Sequence, residues 1–147
     1  MSEYLHKSHN VTVLLYHLVF PAKYRRAIFD AIVDKVLKDV CLEIERRYQL
    51  KFLEIGTDKN HVHFLVQSVP GYSVTKVVTI IKSLTAKEIV RRAPQVKEHL
   101  WGGELWTDGY YARTVGKHGN ETMRGKYVKQ QGEAYQKLYA NHQLELF

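Results

Sequence analysis

The sequence predicts an α+β fold, an antiparallel sheet covered by helices on one face. Three observations carry that prediction. Residues 10–20 (Asn-Val-Thr-Val-Leu-Leu-Tyr-His-Leu-Val-Phe) form an apolar, β-branched run suited to a buried central strand. Residues 51–57 and 61–67 are strand-like and are separated by Asp58-Lys59-Asn60, which is turn chemistry, so they form a hairpin. Two stretches with apolar residues at helical spacing alternate with these strands.

Taken in order, residues 1–9 are polar and expected to be loose. The first strand ends at Pro21, and Lys23, Tyr24, Arg25 and Arg26 follow as a basic loop. Asp30 can cap a helix reaching about Tyr48, whose core face is Ile32, Val33, Val36, Leu37, Val40, Ile44 and Tyr48. The hairpin comes next, and Pro70-Gly71 closes it. Ser73 can cap a second helix with Val74, Val77, Val78, Ile81, Leu84 and Ile89 inward, and Pro94 ends it. Residues 100–107 are rich in Gly and Trp and read as a loop. Residues 109–115 are short, aromatic and alternating, which predicts a fourth strand. Asn120 can cap a last helix from 121 to about 140. The order is β-α-β-β-α-β plus one helix, which is the ferredoxin-like, split βαβ plan. The extra C-terminal helix can pack on its own sheet or on a second subunit.

The 147 residues fit one domain, and a hydrophobic share of 45% supports a real core and argues against disorder. Lys and Arg outnumber Asp and Glu 22 to 15, a net charge of +7. That excess favours a polyanionic partner, nucleic acid ahead of an acidic membrane surface, although a merely solvated basic surface explains it equally well. The single cysteine, Cys41, lies among apolar helical positions. It excludes an intrachain disulfide, suits a reducing compartment, and reads as a small core residue. Polar residues interrupt the N-terminus as a signal peptide, and no stretch approaches the roughly 20 apolar residues of a membrane helix. The expected location is the cytoplasm, with no membrane partner.

The chemistry centres on His61-Val62-His63. Side chains alternate along a strand, so both imidazoles share one face with Leu65 and Gln67, their backbones about 7 Å apart. Two neutral imidazoles so placed can bind one divalent cation. By itself the pair is a weak signal, and a third ligand has to come from elsewhere. In the last predicted helix Tyr127 and Gln131 are four residues apart and share a face. A tyrosine hydroxyl can attack a phosphodiester, but with a pKa near 10 it needs help, which a metal gives by polarising the phosphate. A side-chain amide one turn along can complete the metal site. The bland alternative is that Tyr127, one of ten tyrosines, is a packing residue.

These residues resemble the single-tyrosine, His-hydrophobic-His (HUH) transposases of small bacterial insertion sequences, over nearly the whole chain. The resemblance runs through Tyr16-His-Leu-Val-Phe20 with Lys23-Tyr-Arg25, then Asp58 to Gln67, then Leu105-Trp106 with Gly109-Tyr-Tyr111, then Tyr127-Val-Lys-Gln-Gln131. It implies that His61, His63 and Gln131 bind Mg²⁺ or Mn²⁺. It implies that Tyr127 attacks single-stranded DNA, leaving a 5′-phosphotyrosine and a free 3′-OH that can later rejoin strands. It also implies a homodimer that recognises DNA stem-loops and can exchange the tyrosine helix between subunits. The resemblance puts the third ligand on a polar residue one turn after the tyrosine, which points to Gln131 and not to Gln130, about 100° round the helix from it.

Basic candidates for DNA contact are Lys23, Arg25, Arg26, Lys76, Lys87, Arg91, Arg113, Lys117, Arg124, Lys126 and Lys129. Trp106, Tyr110 and Tyr111 can stack on unpaired bases or pack in the core. A non-catalytic nucleic-acid-binding module of the same fold also explains the charge, but not the ordered His and Tyr/Gln blocks. An HUH relaxase or replication initiator usually needs a longer chain.

Overall fold

The computed structural model describes residues 5–7, 10–22, 30–58, 61–100, 104–116 and 136–145. Among the described residues, seven strands and two α-helices follow one another: β1 (Leu5–Lys7), β2 (Asn10–Thr12), β3 (Leu14–Pro21), α1 (Ala31–Arg47), β4 (Lys51–Thr57), β5 (His61–Ser68), α2 (Val74–Arg92), β6 (Tyr111–Thr114) and β7 (Gln136–Ala140). A 3₁₀ turn, Pro94–His99, follows α2. The sheet has five strands in the order β6-β3-β5-β4-β7, every neighbouring pair antiparallel.

The caps fall where the sequence puts them. The Asp30 carboxylate accepts from Val33 N at 2.9 Å and starts α1. The Ser73 hydroxyl accepts from Lys76 N at 3.0 Å and starts α2. Both helices cover one face of the sheet. Val33, Leu37, Val40, Cys41 and Ile44 of α1, with Val77, Ile81 and Ile89 of α2, join Leu18, Phe20, Phe52, Ile55, Val62, Phe64 and Val66 in one core. Cys41 is buried there, as its apolar setting predicts.

The opposite face holds a smaller cluster, Leu15, Leu53, Leu65 and Leu144. Residues 141–145 return across it, and the buried Gln67 amide fastens them through both backbone groups of Glu145. The register then sets two rows on this face. One runs Tyr111–Val19–His63–Gly56 and the next Arg113–His17–Leu65–Glu54.

Four expectations need correction. Residues 5–7 pair with β2 as a small ribbon, so part of the loose N-terminus is ordered strand. The run predicted as one strand over 10–20 breaks at Val13 into β2 and β3. Ile32 is 58% exposed, because in the first turn of α1 it lies one position off the Val33–Leu37–Val40–Ile44 stripe. The predicted last helix does not run to 140, since residues 136–140 are β7, paired to β4. Five residues fit either period, and here pairing wins: β7 closes the outer edge of β4 and brings Lys137 to the buried Glu54 carboxylate. The rest of that predicted helix lies outside the described residues. No helix among the described residues is long and apolar enough to cross a membrane.

Candidate active site

β5 positions both histidines. Val62, Phe64 and Val66 are fully buried against the helices, which fixes the strand and turns His61 and His63 to the other face. The ring centroids are 6.2 Å apart. His63 is buried and His61, at the mouth of the hairpin, is half-buried.

Asp58, legible in the sequence only as a turn residue, organises this mouth. Its Oδ1 accepts from His61 N at 2.6 Å, and Asp58 N donates to His61 O at 3.0 Å. The same carboxylate faces both rings, with His61 Nδ1 at 3.4 Å from Oδ1 and His63 Nε2 at 3.3 Å from Oδ2. Burial lowers the His63 pKa, partly opposed by the hydrogen bond and charge of Asp58. The ring is therefore neutral at neutral pH, the form that ligates a metal.

A third histidine completes the group. His17 on β3 is 1% exposed and stacks on His63, with centroids 5.7 Å apart and planes at 17°. Burial first, then the charges of His63 and Arg113, push its pKa down to about 4. Tyr111 meets His17 edge-on at 6.5 Å and 71°. In sequence His17 stood only as part of the resembling strand. Its signal was the alternation of Leu15, His17 and Val19 against Tyr16, Leu18 and Phe20, but placing it beside His63 needed the β3–β5 register.

Two imidazoles with a carboxylate between them suit a divalent cation, because the carboxylate orients the rings. Among the described residues, no group of three or more His, Cys, Asp and Glu side chains is arranged to hold a metal by itself. Gln131, the expected third ligand, and Tyr127 lie outside the described residues, as do Lys23, Arg25, Arg26, Lys117, Arg124, Lys126 and Lys129.

The four described basic candidates divide. Lys76, Lys87 and Arg91 belong to α2 in the helical layer, Lys76 over the Tyr72 ring and Arg91 ion-paired to Glu88 at 2.7 Å. Arg113 lies on the histidine face. The aromatic candidates divide as well. Trp106 is buried, packs on Phe20 and donates to Thr85 Oγ1 at 3.0 Å, so it is a core residue. Tyr110 and Tyr111 are 41% and 51% exposed. Lys82, absent from the sequence reading, fixes the approach to β6 by donating to the carbonyls of Thr107 and Gly109 at 2.7 and 2.8 Å.

The chain is similar to known proteins over most of its length. A family model described as "Transposase IS200 like" matches residues 10–131. The ISDra2 transposase TnpA of Deinococcus radiodurans is 31% identical over 118 residues, 80% of this chain and 84% of that protein. The transposase for insertion sequence element IS200 of Salmonella typhimurium is 28% identical over 118 residues, 80% of this chain and 76% of that protein. A crystal structure of a transposase from Deinococcus radiodurans R1 superposes with a TM-score of 0.68 at 27% identity, covering 86% of this chain and 96% of that one. A REP-associated tyrosine transposase bound to a REP hairpin shares the fold, with a TM-score of 0.56 at 12% identity over 89% of this chain and 73% of that one.

Proposed function

The chain belongs to the IS200-like transposase family, and from that premise we propose that it cuts and rejoins single-stranded DNA through a tyrosine nucleophile. The observation that carries this reading is the His61–His63 pair, held by Asp58 on the sheet face opposite the helices, inside the matched segment. That segment also contains Tyr127 and Gln131. We read the β3-α1-β4-β5-α2-β6 core as ferredoxin-like, with the tyrosine-bearing segment added after it.

In this reading the Tyr127 oxygen attacks phosphorus. The Tyr–O–P bond forms as the P–O3′ bond breaks, and the departing 3′ oxygen takes a proton, giving a 5′-phosphotyrosine and a free 3′-OH. One phosphodiester is exchanged for another, so rejoining by a 3′-OH needs no other energy source. His61, His63 and Gln131 would hold Mg²⁺ or Mn²⁺, which when bound polarises the phosphate and offsets charge developing on its oxygens. Asp58 fixes the orientation of the two rings, and the burial of His63 keeps water and protons from competing for its nitrogen. The REP-associated relative was solved on a hairpin. We carry stem-loop recognition over to this chain, and with it a homodimer in which the tyrosine segment serves its own site or its partner's.

The test is a labelled single strand carrying a stem-loop, incubated with Mg²⁺ and run on a denaturing gel. A covalent protein–DNA band is expected from the wild type and none from Tyr127→Phe, with hairpin binding nearly unchanged. Excess chelator should also abolish the band. Cleavage by the Phe variant would mean another nucleophile, and an intact strand throughout would leave a binding module.

A further inference from the structure

We propose that Tyr111 is a stacking platform for the unpaired base next to the scissile phosphate, a subsite built on the histidine face at the sheet edge. The inference rests on the single-strand reading above and adds where the strand lies.

Three observations converge on Tyr111. It stands in the same cross-strand row as His63, with only Val19 between them. It is 51% exposed although its ring is seated edge-on against His17, so one side is supported and the rest faces solvent. It begins β6, an edge strand, and among the described residues no strand pairs with its outer side. An aromatic ring held by a buried neighbour but open on its other surface offers a π-face at little ordering cost, which is what a nucleobase needs.

The surroundings suit a nucleotide. Arg113 is two residues on, on the same face, and supplies positive charge for a backbone phosphate. Beyond His63 the row continues through Gly56, which has no side chain, to Lys137 on β7. His17 joins the two parts. It stacks on His63 on one side and receives Tyr111 on the other, so ring contacts run unbroken from the candidate metal site to the platform. Tyr110, the neighbouring residue, has its ring beside Lys82 of α2 and lines a cleft with Trp106 and Thr107 as well as one that it shares with Tyr111. It is Tyr111 that stands in the row of His63 and meets the His17 ring.

The test uses the full chain with a short oligothymidylate containing one 5-iododeoxyuridine. Affinity is measured by fluorescence anisotropy at low salt, and photo-crosslinks are mapped by mass spectrometry. Tyr111→Ala and Tyr111→Leu should each weaken binding roughly 5- to 150-fold, while Tyr111→Phe stays within about twofold of wild type. The Leu variant keeps an apolar contact on His17, so a loss shared by Ala and Leu but spared in Phe reports the π-face rather than packing. The crosslink should map to Tyr111. Equal affinity in all three variants, or a crosslink only elsewhere, overturns the proposal. Binding lost in the Ala and Leu variants, with no covalent band from wild type on a stem-loop, keeps the platform and sinks the transposase chemistry. A wild type that binds no single strand sinks both.

Discussion

Replacing Asp34 by Asn should be more favourable to stability at neutral pH than in acid. Asp34 lies in the first turn of α1, half-buried against β4. Burial, then the charge of Asp30, raise its carboxyl from the ordinary 3.8 to about 6, against a hydrogen bond with Thr57 that favours the charged form. Its Oδ1 is buried with no hydrogen-bond partner. A folded-state pKa above the unfolded value means that the folded protein holds the proton more tightly. Stability is then greatest below pH 3.8, falls as pH rises through about 6, and carries the full cost above it. The shift sets a ceiling of about 3 kcal/mol. Solvent screening of a half-buried group reduces this to about 1–2 kcal/mol. The helix dipole, which favours an acid in the first turn, takes back about 0.3–1 kcal/mol. Asn carries its own cost, because its amide also meets the orphaned position. That cost does not depend on pH, so the quantity to measure is a difference of differences. Urea unfolding of both proteins at pH 4 and pH 7.5 should show the variant gaining about 1 kcal/mol relative to wild type between the two. A gap that does not widen with pH, or that widens in favour of wild type, refutes the electrostatic reading of Asp34.

Asp58→Asn keeps an acceptor for His61 N but replaces the carboxylate that faces His63 Nε2. The Mn²⁺ concentration for half-maximal covalent-complex formation should rise about 10- to 100-fold, with stem-loop affinity unchanged. Gln67→Ala removes both bonds to the Glu145 backbone and opens space beside Leu65. It should cost about 2 kcal/mol or more in urea unfolding and speed amide exchange at Glu145 while amides of the β3–β5 ladder stay protected.

The sequence was most informative where local chemistry and tertiary packing agree. Asp30 and Ser73 cap the helices they precede, and the 51–67 hairpin was visible because its turn residues separate two strand-like runs. The histidine pair was visible because period two is a property of one strand. What stayed hidden depends on register or on distant chain. His17 becomes a partner of His63 only when β3 lies antiparallel to β5 with Val19 opposite His63. Asp58 looked like turn chemistry, and it is, but the same carboxylate also serves both rings. The 136–140 strand was concealed by a sequence that suits a helix equally well, and only the open edge of β4 and the buried Glu54 decide the matter. Tyr111 and Trp106 are both aromatic residues near the same strand, yet one is core and the other is surface.

The strand order also bears on how the proposed nucleophile, Tyr127, can reach the histidines. β6 and β7 are the two edges of the sheet, four strand intervals apart, or roughly 19 Å. The chain between them, which carries Tyr127 and Gln131, therefore leaves at one edge and comes back at the other. It comes back beside the site, since Gln136 pairs with Thr57, and Thr57 precedes Asp58. Gln131 is five residues before that anchor and Tyr127 nine, tethers of at most about 18 and 32 Å. From β7 to β5 is two strand intervals, roughly 10 Å. Chain length thus lets both residues serve the histidines of their own subunit without moving any strand. Reach by itself therefore imposes no exchange of this segment between subunits.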